Sequence, residues 1–564
     1  MESPNKPIGV VLMWHMHQPQ YEDLVSNNFY LPWTYLHCIK DYSDMAFALE
    51  QNVNARAVVN FSPTLLQQID DYRAQLRQFF DHGESPRDPL LALLGATTIP
   101  QSKQHRLKII EQCLRANQKN MIERFPVYQG LCNIAQKIMT DTLPLSYLTD
   151  QYIYDLVSWY HLAWIGESIR LHDPRIAELV AVGSEFTQGN RYQLLEVIFQ
   201  TIDSLTARYR QLYEARRVEL SFTPLAHPII PLLLDFDSAR ESLQDAIVPS
   251  INYPGGDVRS QIHIEQGIEI FKRHFGTAPA GCWPAEGAVS IDTLKLLDQY
   301  DLQWTASGSG VLNKSLQQYQ RGDEPHQVFR FDGCQVKCFF RDDPLSDLIG
   351  FTYHDWKASD AVSNLISKIE HMHELRPDSN MIVTIILDGE NCWEYYDHNG
   401  YYFLEALYAY LADHEKIQLT TFSDYLERHS EYQQLPSLVP GSWVYGDLST
   451  WIGSPEKNRG WELLIDAKQV YDRVIGNLPE AAQQLATEQL AVCESSDWFW
   501  WLGDYNASSS VHDFDSLFRL HLRNLYLRLQ QPPPVELEDA IAVGNALEMG
   551  PENDGVMRRG SEYS

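Results

Sequence analysis

MIVTIILDGE, residues 381–390, is an almost unbroken apolar run that stops abruptly at Asp388, with Glu390 two residues on. A run this short and this apolar suits a β-strand covered on both faces, the setting of a parallel sheet. Six other runs share the pattern: GVVLMWHMHQ (9–18), RAVVNFSP (56–63), VELSFTP (218–224), AGCWPAE (280–286), LQWTASGS (302–309) and QVKCFFRDD (335–343). Helical patterns separate most of them, such as IDTLKLLDQY (291–300) after the fourth and ASDAVSNLISKIEHMHEL (358–375) before the seventh. Strand alternating with helix implies a parallel sheet, and this many units favour closure into a barrel.

Two stretches break the alternation. Between the second and third strands, HRLKIIEQCLRANQKNMIERF (105–125) and RYQLLEVIFQTIDSLTARYRQLYEARR (191–217) are helical in period. They predict a helical insertion at about 80–215 over the barrel mouth. After about residue 430 strand signals fade, and NRGWELLIDAKQVYDRVIGNL (458–478), LPEAAQQLATEQLAV (478–492) and DFDSLFRLHLRNLYLRLQ (513–530) are again helical. The expected organisation is a catalytic barrel over 1–430, a C-terminal helical domain over 431–530 that contributes to the substrate cleft, and a tail over 531–564. Pro532, Pro533 and Pro534 stop the last helix, and the acidic, Gly-containing remainder is expected to be disordered.

Composition narrows the function classes. Of 564 residues, 44% are hydrophobic, while 44 Lys and Arg face 75 Asp and Glu for a net charge of −31. Such a surface repels nucleic acid and anionic lipid, and neutral partners suit it. No apolar run approaches the roughly 20 residues of a membrane helix. The N-terminal MESPNKPIGVVLMWH lacks a basic leader and a cleavage site, so a cytoplasmic protein is expected. Eight cysteines in so long a chain are not a disulfide scaffold. Asp332-Gly333 reads as a tight hairpin turn that places Cys334 and Cys338 on one side of one strand, as packed thiols rather than metal ligands.

The strand ends carry the chemistry. In a parallel α/β barrel the C-terminal rim is where reactions occur. GCWPAEGAVS (281–290) places Glu286 there, after Trp283, and LDGENCWEYY (387–396) places Asp388 there, followed by Glu390 and Trp393. Cleaving a glycosidic bond needs an acid for the leaving oxygen and a second carboxylate to attack the anomeric carbon or activate water. The neighbouring tryptophans suit the apolar faces of sugar rings. HMHQP (15–19) puts His15 and His17 on one face of the first strand, and His227 follows the third in TPLAHPII (223–230). Read from the residues alone, metal binding, sugar binding and structural use stay open for these histidines.

HMHQP, TPLAHPII, GCWPAEGAVS and LDGENCWEYY, in this order and spacing, resemble glycoside hydrolase family 57, from about residue 8 to about residue 530. The resemblance implies a (β/α)7 barrel with a helical insertion and a C-terminal helical domain. It also implies a retaining mechanism on α-glucans, with Glu286 as nucleophile, Asp388 as acid and then base, and no obligatory metal or other cofactor. His15, His17 and His227 would line the subsite at the cleaved bond, Trp283 and Trp393 would flank the sugar, and Glu390 would orient Asp388 or bind a hydroxyl. GSWVYGDLSTWIG (441–453) and SSDWFWWLGDY (495–505) look most like the amylopullulanase and α-amylase branch. They make Trp443, Trp451, Trp498 and Trp501 candidate distal glucose platforms, with a packed aromatic core as the alternative. The chain departs from that branch at TASGSG (305–310), where an acidic residue is usual, and at Ala285 and Ala288, where serines are common.

The resulting expectation is a hydrolase of α-1,4 bonds, with α-1,6 bonds as a further target, in starch- or glycogen-like glucans. A 4-α-glucanotransferase or branching enzyme would use the same carboxylates. A metal-dependent deacetylase or zinc mannosidase built on His15, His17, His227 and Asp388 is the rival of another class, and a non-catalytic glucan-binding protein is a third.

Overall fold

The computed structural model describes residues 6–318, 325–377, 379–390 and 392–544. Seven parallel strands form the barrel: β1 (Ile8–Met16), β2 (Ala57–Phe61), β3 (Val218–Phe222), β4 (Gly281–Cys282), β5 (Trp304–Gly308), β6 (Lys337–Arg341) and β7 (Ile382–Asp388). They pair in the order β7-β1-β2-β3-β4-β5-β6. Between β6 and β7 the wall is closed by single contacts rather than a ladder. Asp342 N–H donates to Thr384 O at 2.7 Å, and Arg341 Nε to Ile386 O at 2.8 Å. Each of the seven runs read from the sequence holds one of these strands. The fourth is the shortest, because the chain turns at Pro284.

Alternation along each strand sorts the side chains. Val10, Leu12 and Trp14 of β1 pack outward against the helices, whereas Val11 and Met13 point inward. The inner face is filled low down by Val58, Trp304, Ala306, Phe339, Ile382 and Ile386, with Phe422 and Tyr425. Going up the same faces, period 2 brings His15 after Met13, Asn60 after Val58, Arg341 after Phe339 and Asp388 after Ile386. The pairing register puts His15 beside both Asp388 and Asn60, and Asn60 beside Ser221, so one polar layer crowns an apolar interior.

The chain between β2 and β3 is helical, from Pro63–His82 to Gln188–Glu214, in accord with the expected insertion. Ser62 caps the first of these helices, accepting from Leu65 N–H. Helices Pro455–Val474, Glu480–Cys493, Ser496–Trp501 and Ser508–Arg528 make up the C-terminal domain. The segment expected to be a loose tail begins by packing. Residues 535–538 form a short turn, Leu537 is buried, and Ile541 N–H donates to Asp515 at 2.8 Å. The rest, 545–564, lies outside the described residues. The Asp332-Gly333 turn is present, with Gly333 at φ +78°, but Cys334 precedes β6 instead of lying on it. Both thiols are buried among Phe329, Phe331 and Phe340. No helix among the described residues is long and apolar enough to cross a membrane.

Candidate active site

Glu286 and Asp388 both lie at the C-terminal rim. Asp388 is the last residue of β7, and Glu286 follows β4 by four positions. Both are buried, with 2% and 8% of their surface exposed. Glu286 adopts the left-handed conformation, φ +58°, which costs a residue with a Cβ about 1–2 kcal/mol. His227 does the same at φ +59°. Such strain persists only where surrounding contacts impose it, and it concentrates at functional sites.

Those contacts are explicit. Trp443 Nε1–H donates to Glu286 Oε2 at 2.9 Å, and Trp443 N–H donates to Glu286 O at 3.0 Å. Glu286 Oε1 lies 3.8 Å from His227 Nδ1 and has no hydrogen-bond partner. Burial is the largest cause pushing the Glu286 carboxyl well above the usual range. The charge of Asp388 comes next, the Trp443 bond opposes both, Asp497 adds a further push upward, and the Ser496 hydroxyl opposes it.

The three histidines converge, and all six ring nitrogens are engaged. His15 Nδ1 lies 2.7 Å from Asn60 Oδ1, and its Nε2 lies 3.0 Å from His227 Nε2. His17 Nδ1 lies 2.8 Å from the helix-capping Ser62 Oγ, and its Nε2 is 2.9 Å from Asp497 Oδ1. His227 Nδ1 lies 2.8 Å from Ser496 Oγ. Burial and the neighbouring His17 lower the His15 pKa to about 3, so His15 is neutral and donates from Nδ1 to Asn60. Its bare Nε2 then accepts from His227 Nε2–H, which leaves His227 Nδ1 to accept from the Ser496 hydroxyl. Burial likewise holds His227 well below the usual histidine range.

His17, His227 and Asp497 carry ligand-type atoms within 4.8 Å of one another. This is the set the fold gathers, with Asp497 where the sequence reading placed Asp388. The rings of His17 and His227 stack at 3.8 Å with 11° between planes, so their lone pairs run side by side instead of converging. Together with the hydrogen bonds already made, this arrangement fits a packed polar cluster better than a cation's ligand shell.

The tryptophans divide. Trp283 is enclosed beside the site, its ring 6.3 Å from His15 and 5.2 Å from Trp443. Trp393 leaves the cleft: it is fully buried against Trp14, and its Nε1 donates to Gly389 O at 2.8 Å. Trp443 is no distal platform, since it touches Glu286. Trp451, Trp498 and Trp501 are core residues. Trp498 stacks on Phe518 and Trp501 on Phe514, at 6.0 and 4.4 Å, because the helix that carries them is buried on every side. Glu390 Oε1 accepts from Gln18 Nε2 at 3.1 Å, and burial followed by the Asp388 charge pushes its carboxyl well up.

Asn60, Ser62, Ser496 and Asp497 complete the site and were not singled out in the sequence. The only signal for the last two was their place in the tryptophan-rich SSDWFWW segment. They arrive from the C-terminal domain, where Ser495 caps the short helix and Ser496 N–H donates to His227 O at 2.9 Å.

Solved structures share this architecture. A GH57 branching enzyme from Thermococcus kodakaraensis aligns over 92% of this chain and 90% of its own, at 13% identity and a TM-score of 0.58. The α-amylase AmyC from Thermotoga maritima aligns over 97% and 99%, at 13% identity and a TM-score of 0.56. A 4-α-glucanotransferase from Thermococcus litoralis aligns over 93% of this chain and 60% of its own, at 12% identity and a TM-score of 0.51. No curated protein matches in sequence. The profile described as Glycosyl hydrolase family 57 matches residues 11–437, a span that holds β1 from Val11 on, the other six strands and both rim carboxylates, and the chain belongs to that family of glycoside hydrolases.

Proposed function

We propose that the chain is a retaining α-glucan-active enzyme with Glu286 as nucleophile and Asp388 as acid and then base. One juxtaposition carries the reading. Two buried carboxyls from different strands share a rim, close enough for the charge of one to act on the other. That pair is what glycosidic cleavage requires. In the first step the Glu286 carboxylate attacks the anomeric carbon while Asp388 gives its proton to the departing oxygen, and the C–O bond breaks. In the second step Asp388 takes a proton from an incoming hydroxyl, whose oxygen displaces Glu286. The histidine cluster and Trp283 line the subsite at the cleaved bond.

If water is the acceptor the outcome is hydrolysis of α-1,4 bonds, with α-1,6 bonds as a further target. If a sugar hydroxyl is the acceptor the outcome is transfer, as in a glucanotransferase or branching enzyme. The names of two of the similar structures favour this second reading, and that of the amylase favours the first. Incubation with maltoheptaose and, separately, pullulan, followed by product chromatography, decides between them. Shorter products alone mean hydrolysis, and longer ones as well mean transfer. No change in either, nor in glycogen, would remove the assignment.

A further inference from the structure

The turn that carries Glu286 is laced to the segment 441–447. Val289 and Gly441 exchange both main-chain bonds, at 2.9 and 3.1 Å, and Trp443 N–H donates to Glu286 O at 3.0 Å. The Trp443 indole then holds Glu286 Oε2 at 2.9 Å, so one residue bonds both the backbone and the carboxylate of a glutamate held at φ +58°. Two other groups border that carboxyl, His227 Nδ1 at 3.8 Å from Oε1 and the Ser496 hydroxyl. The segment is itself seated on the end of β5. A Cβ on Gly308 would sit 2.5 Å from Trp443 Cα, and one on Gly310 would sit 2.9 Å from Gly446 Cα. Distances this short to backbone atoms leave no room for a side chain at either position. Between them in the same stretch, Ser307 Oγ–H donates to Gly287 O at 2.6 Å, which ties β5 to the residue after Glu286. Where the branch usually carries an acid, TASGSG supplies a seat.

We propose that Trp443 is a positioning residue for the nucleophile, and that Gly308 and Gly310 seat it for that task. The inference rests on the role proposed above for Glu286. A left-handed glutamate relaxes to a commoner conformation unless its contacts hold it there. The two bonds from Trp443 act on the main-chain oxygen and a carboxylate oxygen at once, which fixes how the carboxylate is presented at the rim. Attack on an anomeric carbon needs oxygen and carbon close and aligned, and a misplacement of about 1 Å costs on the order of 10²-fold in rate. The indole is otherwise engaged by the protein: its N–H is spent on Glu286, and Trp283 and the Arg341 guanidinium flank its ring at 5.2 and 5.6 Å. Trp443 therefore acts through Glu286 rather than as a stacking surface for sugar. Its loss slows the attack and leaves sugar binding in place.

The test follows the covalent intermediate itself. With a 5-fluoro α-maltosyl fluoride, the Glu286 carboxylate displaces fluoride from the anomeric carbon, the C–O bond forming as the C–F bond breaks. Fluoride leaves without a proton from Asp388, and the fluorine at C5 slows release of the sugar. Mass spectrometry reads both the rate and the labelled residue. In Trp443→Phe the maximal labelling rate should fall by about 10²-fold, with the half-saturating concentration unchanged. Gly308→Ala keeps the indole and displaces its backbone, so it should lower the same rate by about tenfold or more. Added to Trp443→Phe it should cost little further, because both act through one contact. It also serves if Trp443→Phe fails to fold, which thermal melts report. A raised half-saturating concentration at an unchanged rate would make Trp443 a sugar platform, and unchanged values in the folded variants would make it mere packing; either overturns the inference. If the wild type is not labelled at Glu286, the nucleophile assignment itself fails, an outcome that the variants cannot mimic.

Discussion

Two enclosed carboxylates, Glu286 and Glu494, are pushed in opposite directions by their surroundings. They are 2% and 0% exposed. Glu494 receives Arg259 at 2.8 and 2.7 Å, His263 Nε2 at 2.7 Å and the Tyr253 hydroxyl, and these partners outweigh burial to bring its pKa to about 2. Glu286 receives one indole N–H and faces Asp388 and Asp497, and its pKa rises well above the usual range. Burial alone disfavours charge in both places, and the donors decide the outcome. Where a carboxylate locks the helical domain to the barrel, every lone pair is met. Where one is to attack, an oxygen is left without a partner.

The contrast is broken most forcefully through activity. Glu286→Ala should reduce turnover of α-glucans by about 10⁴-fold or more, and Asp388→Asn by about 10²–10⁴-fold. Near-wild-type rates in either would remove that residue from the pair. Stability comes next. Glu494→Gln leaves Arg259 and His263 without their counter-charge and should destabilise the fold by about 3–5 kcal/mol in denaturant titration. Because the folded pKa of Glu494 is depressed from 4.5 to about 2, its contribution is present above pH 4.5 and lost as pH falls toward 2. A Glu494→Gln penalty that persists undiminished at pH 2 would contradict this.

Glu286 should behave in the opposite sense. Its folded pKa is raised, so its favourable contribution is present below the unfolded value of 4.5 and lost as pH rises through the folded value. Glu286→Gln, which never ionises, should therefore raise the melting temperature at pH 8 and leave it nearly unchanged at pH 4. A lower melting temperature at pH 8 would mean that the carboxylate is structural. The smallest expected effect is none: dialysis against EDTA should leave activity on maltoheptaose intact, since the ring nitrogens of His15, His17 and His227 are already bonded within the protein. Loss on chelation with recovery on adding zinc would revive the metal-centred reading.

The barrel was legible because its evidence is local. Each strand announces itself as an apolar run with a polar end, and period 2 then carries His15, Asn60 and Asp388 to the same rim. Glu286 was legible for the same reason. Asp497 and Ser496 were not, since nothing local reveals that a segment 480 residues downstream of His17 folds back onto it. Trp443 was visible as an aromatic but not as a partner of Glu286, because that contact depends on its backbone lying close against Gly308 at the end of β5. Trp393, Trp451, Trp498 and Trp501 show the limit of composition: a ring that suits a sugar suits a hydrophobic core equally well.

The way the histidines are completed bears on how the chain can be cut or recombined. A piece ending at residue 437 would keep all seven strands, Glu286 and Asp388, yet it would strip His17 and His227 of Asp497 and Ser496, and Arg259 and His263 of Glu494. The C-terminal helices are therefore not an accessory that can be exchanged at a linker. Chimaeras between relatives should succeed only when positions 17, 227, 259, 263 and 494–497 travel together, so the smallest inheritable unit of this enzyme is larger than its barrel.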